Sequence, residues 1–107
     1  MQQTISTTDT FHGCEFSIFR AKAGVPDEQL IAACQKMEKE FLHGEEGFIH
    51  HALLKGDNGS WADAVFTKSK EDAERICKNF MGNSACLEYL QLTEEGSVNL
   101  TFWSRAK

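Results

Sequence analysis

The chain reads as an α+β domain: one four-stranded antiparallel sheet with helices packed on it. Three observations predict this. The run from Gly47 to Glu74, GFIHHALLKGDNGSWADAVFTKSKEDAE, has the form strand, tight turn, strand, capped helix. A strand pattern and an amphipathic helix precede it, and more helix and one alternating strand follow it, giving the order β-α-β-β-α-(α)-β. Finally, 107 residues with one Pro, eight Gly, 41% hydrophobic and 25% charged residues suit one globular domain without a long linker.

Residues 1–12 are polar and lack a period, so they read as a flexible tail before a single domain spanning 13–107. From Cys14 to Lys22 a first strand sets Phe16 and Ile18 on one face and Ser17, Phe19 and Ala21 on the other. Neither face is clearly polar, which predicts cover on both sides. Gly24 ends the strand. Pro26 suits a first helical turn, and Asp27 and Glu28 set acid at the positive end of the helix dipole. Leu30, Ile31, Cys34, Met37, Phe41 and Leu42 then form one apolar stripe to about His43.

A second strand runs from Phe48 to Lys55. Asn58-Gly59 is the strongest short hairpin signal, because both turn residues must take positive φ. The third strand, Trp61 to about Lys68, places Trp61, Asp63, Val65 and Thr67 on one face. Ala62, Ala64 and Phe66 lie on the other, where small Ala would admit a helix closely. Ser69 with Asp72 three residues on forms a capping-box-like start to the next helix. Ala73, Ile76, Cys77, Phe80 and Met81 are its apolar stripe, and Gly82 stops it. A short helix from Ser84 to about Leu92 would turn Leu87 and Leu90 inward. The last strand, Ser97 to Arg105, alternates Val98, Leu100 and Phe102 against Asn99, Thr101 and Trp103.

This order is that of a split-βαβ, ferredoxin-like domain. Two helices cover one face of its sheet. The other face is expected to carry Phe19, Trp61, Val65 and Trp103, too apolar to stay wet. Closing it against a second copy as a two-fold homodimer follows, with the open sheet faces meeting.

The net charge of −5 comes from 11 basic and 16 acidic residues without a basic cluster. That excludes phosphate-backbone binding as the main function, so no nucleic acid partner is expected. No apolar run approaches the ~20 residues of a membrane span, and the N-terminus has no export-signal pattern. No membrane partner is expected, and the expected location is cytoplasmic. Cys14, Cys34, Cys77 and Cys86 show no CxxC pair and read as reduced structural thiols.

Several stretches together resemble the antibiotic-biosynthesis-monooxygenase-like domain of the dimeric α/β-barrel superfamily. They are the strand ending in Lys22-Ala23-Gly24, the helix opening PDEQL, Gly47-Phe48-Ile49, Gly59 to Val65, and Lys68 to Ala73. The resemblance spans roughly Glu15 to Trp103. It implies two sheets pairing into a barrel, with a pocket inside each subunit. The superfamily holds cofactor-independent quinol and polyketide monooxygenases and haem-degrading monooxygenases. The haem-degrading members use Asn in strand one, Trp at the end of strand three and His on a later helix. Here those places hold Ser17 and Thr67, and residues 69–95 contain no His. The resemblance therefore does not extend to haem degradation.

The candidate catalytic residues are His50, His51 and Asp63. Adjacent strand residues point to opposite faces, so only one of the two imidazoles can enter a pocket, and they cannot jointly hold one metal. A pocket imidazole suits a general base, and Asp63 beside it a proton-transfer partner. The bland alternatives are an interface histidine and an Asp63 that is solvated or paired with Arg20 or Arg105 of a second copy. Phe19, Trp61, Asn99 and Trp103 are the candidate substrate-binding residues, offering flat apolar walls and one amide. Neither Asp57-Asn58-Gly59 nor His12-Gly13-Cys14 has the partners a calcium or zinc site needs, so no metal is expected, nor any other cofactor. Together these point to cofactor-independent oxygenation of a small aromatic or quinol-like ligand. A barrel binding a small apolar metabolite without turnover, or a filled dimerisation module, are the alternatives.

Overall fold

The computed structural model describes residues 10–107. Strand β1 is Gly13–Arg20, helix α1 Asp27–Glu40, β2 Phe48–Lys55, β3 Ser60–Thr67, α2 Lys70–Phe80, α3 Ser84–Leu90 and β4 Asn99–Ser104. The sheet order is β2-β3-β1-β4, every neighbouring pair antiparallel. This is the four-stranded, ferredoxin-like α+β architecture expected. A 3-10 turn, Leu42–Gly44, follows α1.

Local chemistry explains the elements. Asn58 and Gly59 take φ of 58° and 79°, and Ser60 donates its N–H to the Asp57 carbonyl at 3.1 Å, closing the hairpin between β2 and β3. The Ser69 hydroxyl accepts the Asp72 N–H at 3.0 Å and caps α2. The Asn83 side chain accepts from Ala85 and Cys86 N–H at the start of α3. Pro26 is the N-cap of α1 and not its first turn residue. At Gly13 an added Cβ would sit 2.2 Å from the Ser69 backbone, so this glycine lets the start of β1 touch the entry to α2.

Leu30, Met37, Leu42 and Ile76 are fully buried at the centre of the core. In α3 the buried residues are Ala85, Cys86 and Tyr89, and Leu87 and Leu90 are only partly covered. Ile31 and Met81, expected in the apolar stripes, lie 42% and 59% exposed. None of the four cysteines is in a disulfide. No described helix is long and apolar enough to cross a membrane.

The two sheet faces differ from expectation. Phe19, Trp61 and Val65 point toward the helices and are buried there, so they do not belong to the open face. The alanines Ala62 and Ala64 lie on the open face and do not receive a helix. Strand pairing explains this: Ser17 opposes Asp63 and Leu100, so β1 residues 15, 17 and 19 share their face with Asp63, Val65 and Leu100. Trp103 and Asn99 alternate to the other side, where Trp103 opposes Cys14 and Asn99 opposes Ile18. Most of the expected tail, residues 1–9, lies outside the described residues. At its end the His12 N–H donates to the Thr67 carbonyl at 3.0 Å, and the Phe11 ring packs edge-on against Phe66.

Candidate functional site

On the helix-covered face, three strands and two helices bring a row of polar groups into the core. His51 of β2 opposes Val65, and Asp63 of β3 opposes both Leu53 and Ser17. His51 and Asp63 are thus diagonal neighbours on one face. Their side chains are only 1% and 9% exposed. Asp63 Oδ2 lies 2.9 Å from His51 Nε2, out of line with the ring N–H, so the contact is a charge pair more than an aligned hydrogen bond. On the other side of the ring, Glu38 Oε2 of α1 lies 2.6 Å from Nδ1, and Cys34 Sγ lies 3.8 Å from it. The Tyr89 hydroxyl of α3 donates to Asp63 Oδ2 at 2.6 Å.

A carboxylate at each ring nitrogen calls for an imidazolium, because a neutral ring offers only one donor. Burial works against that charge, but Asp63 and Cys34 outweigh it and the His51 pKa is raised to about 11. Burial and then the Asp63 charge push the Tyr89 hydroxyl up, so it stays a donor.

Asp63 and Tyr89 also line a cavity of about 320 Å³ between the sheet and the helices. Its walls are mostly apolar, and its polar groups are Glu15, Ser17, Asp63, Tyr89 and Thr93 with the Cys77 thiol. Exposed Met81, Val98 and Leu100 border it, which places its mouth at the β4 edge. Glu15 points into it from β1. Burial, then the nearby Asp63 charge, raise the Glu15 pKa to about 7, with His51 partly offsetting them. A second cavity of about 370 Å³ lies on the outer side of His51, where Cys34, Glu38 and Trp61 line it.

The sequence candidates therefore scatter. Asp63 and Phe19 line the first cavity, His51 stands behind Asp63, and Trp61 faces the second cavity. His50 is exposed on the open face, where its ring stacks on Phe66 at 6.2 Å, and Asn99 and Trp103 share that face. Neither cavity includes these three. Glu15, Glu38 and Tyr89 are not among the sequence candidates. Glu15 had a signal: it alternates in phase with Ser17 and Phe19 on a strand expected to be covered. Tyr89 and Glu38 lie on helices whose partners no local pattern reveals.

No family model matches the sequence, and no curated protein matches it. Solved structures do resemble it. A cofactor-independent oxygenase, SnoaB from Streptomyces nogalater, superposes with a TM-score of 0.66 at 14% identity, covering 91% of this chain and 95% of that one. A conserved protein from Methanosarcina mazei gives 0.67 at 9% identity, covering 94% and 99%. A dimeric ferredoxin-like protein from an uncultured marine organism gives 0.61 at 12% identity, covering 94% and 92%. The chain thus shares the ferredoxin-like fold of these proteins.

Proposed function

We propose that the chain is a cofactor-independent monooxygenase acting on a small aromatic or quinol-like substrate in the 320 Å³ cavity. The observation that carries this is Glu15: a carboxyl with a pKa near 7, on an apolar cavity wall, beside the Asp63–His51 pair. A base poised near neutral pH is what abstraction of an acidic C–H or phenolic O–H proton requires. The apolar walls then keep water from the resulting anion. That anion gives one electron to O2, and the radical pair joins in a C–O bond. For a methylene carbon, the peroxide loses water as its O–O bond breaks and a carbonyl forms. The substrate supplies all the electrons.

In this reading Glu15 is the base. Asp63, expected from the sequence as a proton-transfer partner of the base, orients the substrate beside it. His51 is its positioning partner, since it does not line the cavity, and Phe19 is a wall. The Tyr89 and Ser17 hydroxyls are the groups near which a substrate oxygen would sit. The similarity to SnoaB, a cofactor-independent oxygenase, supports the reaction class at the level of fold.

A homodimer through the open face belongs to the same proposal. Ile18, Leu54 and Trp103 are 47%, 50% and 57% exposed there, on a face that a second copy would cover, and one protein of this fold is described as dimeric. Four unpaired thiols suit a reducing compartment, and we place the protein in the cytoplasm.

Oxygen uptake with a panel of quinols and anthrones, in metal-chelated buffer, tests the reaction. The expected result is one O2 consumed per methylene oxidised to carbonyl. Saturable binding of the same compounds without uptake above buffer would overturn the enzyme reading in favour of a binding protein.

A further inference from the structure

The outer side of His51 holds groups that oxygenation in the inner cavity does not use. Cys34 and Glu38 are four residues apart on α1, so both project from one face of that helix. That face meets the His51 ring. Cys34 Sγ, Glu38 Oε2 and His51 Nδ1 all lie within 4.8 Å of one another. Cys34 is buried, at 3% exposure, and the Glu38 side chain is 27% exposed at the rim of the 370 Å³ cavity.

We propose that Cys34, Glu38 and His51 form a binding site for a thiophilic divalent cation of the zinc class. Three points carry it. A thiolate, an imidazole and a carboxylate are the donor types that zinc prefers, and three protein ligands with an open fourth position make a site accessible to water. The ring turns Nδ1 toward the two other ligands and brings Nε2 within 2.9 Å of the Asp63 carboxylate. Metal-ligating histidines commonly rest their second nitrogen on a carboxylate, and here a small rotation of the ring or carboxylate brings the Nε2 proton into line with Asp63. Third, the cavity gives the ion an entry path and room for a water, with the Gln35 side chain on its wall.

The distances need one adjustment. Metal–ligand bonds of ~2.0–2.3 Å in a tetrahedron separate ligand atoms by roughly 3.4 Å. The 3.8 Å between Cys34 Sγ and His51 Nδ1 is close to that. Glu38 Oε2, at 2.6 Å from Nδ1, must draw back by less than about 1 Å, which a carboxylate at a cavity rim can do by a rotamer change. The ion then replaces two protons, the one between ring and carboxylate and that of the Cys34 thiol, and both leave to solvent, so the net charge of the cluster behind Asp63 is unchanged.

Titration of the metal-free full chain with Co(II), and competition by Zn(II), test the site without any substrate. Failure of the oxygenase reading would leave the result untouched. The expected outcome is one equivalent bound, with a thiolate-to-cobalt charge-transfer band and the intense visible bands of a tetrahedral centre. Cys34→Ala should abolish the charge-transfer band, and Glu38→Gln should weaken binding at least tenfold. Both variants leave the His51–Asp63 pair intact, and circular dichroism checks their folding. Asp63→Asn should weaken binding by about 10- to 100-fold through the ring it orients. No stoichiometric binding at micromolar metal would overturn the proposal. So would binding that survives Cys34→Ala, or that is lost instead in a His12→Ala/Cys14→Ala double variant.

Discussion

The two faces of the sheet reverse the usual arrangement. An antiparallel sheet with one wet side normally buries apolar residues and exposes polar ones. Here the helix-covered face carries Glu15, Ser17, His51, Asp63 and Thr67 among its apolar neighbours, and His51 and Asp63 are under 10% exposed. The open face carries Phe16, Ile18, Leu54, Phe66 and Trp103, three of them at least 47% exposed. Burying a charged pair is unfavourable unless each charge is matched, and exposing such a patch is unfavourable unless something covers it. In the proposed reading this difference separates two roles, with chemistry under the helices and association on the bare side.

The largest expected effect comes from breaking the buried pair. Asp63→Ala leaves the His51 imidazolium with Glu38 alone and orphans the Tyr89 hydroxyl donor. Stability should fall by about 3–5 kcal/mol in urea unfolding, as for other buried pairs cut on one side. A loss under 1 kcal/mol would mean that the pair is wetter than its burial indicates.

Glu15→Gln should act in the opposite direction. In the folded chain Glu15 keeps its proton to about pH 7, against an ordinary value of 4.5. Folding therefore takes up a proton between these values, and the Glu15 contribution to stability falls as pH rises through that window. Above pH 7 the glutamine variant should be more stable by about 3 kcal/mol, and below pH 4.5 the two should match. His51 behaves differently. Its raised value favours folding fully below about pH 6.5, and that support is lost as pH climbs through about 11. Parallel stability–pH curves for wild type and Glu15→Gln would show that Glu15 does not titrate in the core.

On the bare side, Ile18→Asp should leave the fold of each subunit intact, because Ile18 is 47% exposed. It should raise the dissociation constant of the proposed homodimer at least tenfold, about 1.4 kcal/mol, read by sedimentation across a dilution series. A wild-type monomer at micromolar concentration would remove the dimer altogether.

Much of the fold was legible because its signals are local. Asn58-Gly59 fixes a hairpin, Ser69 caps a helix, and strict alternation in β4 marks a strand. Face assignment was less legible. In β3 the sets Trp61, Asp63, Val65, Thr67 and Ala62, Ala64, Phe66 both hold apolar residues, so alternation separates them without saying which meets the helices. Size decided it: Trp61 and Val65 fill the core, and the alanines sit where no helix lies. Of the residues at the cavity, the sequence pointed to Asp63 and Phe19, and it separated the directions of His50 and His51. Tyr89 and Glu38 meet these residues through contacts 26 and 13 positions apart, which no sequence period records.

One paired measurement tests this separation of the two faces most directly. Oxygen uptake with a quinol or anthrone that wild type consumes should fall by at least 100-fold in Glu15→Gln, on the scale of general-base contributions. It should stay within about twofold in His50→Ala, since His50 is exposed on the opposite face. The reverse pattern, with uptake kept in Glu15→Gln and lost in His50→Ala, would place the chemistry on the open face and contradict the account.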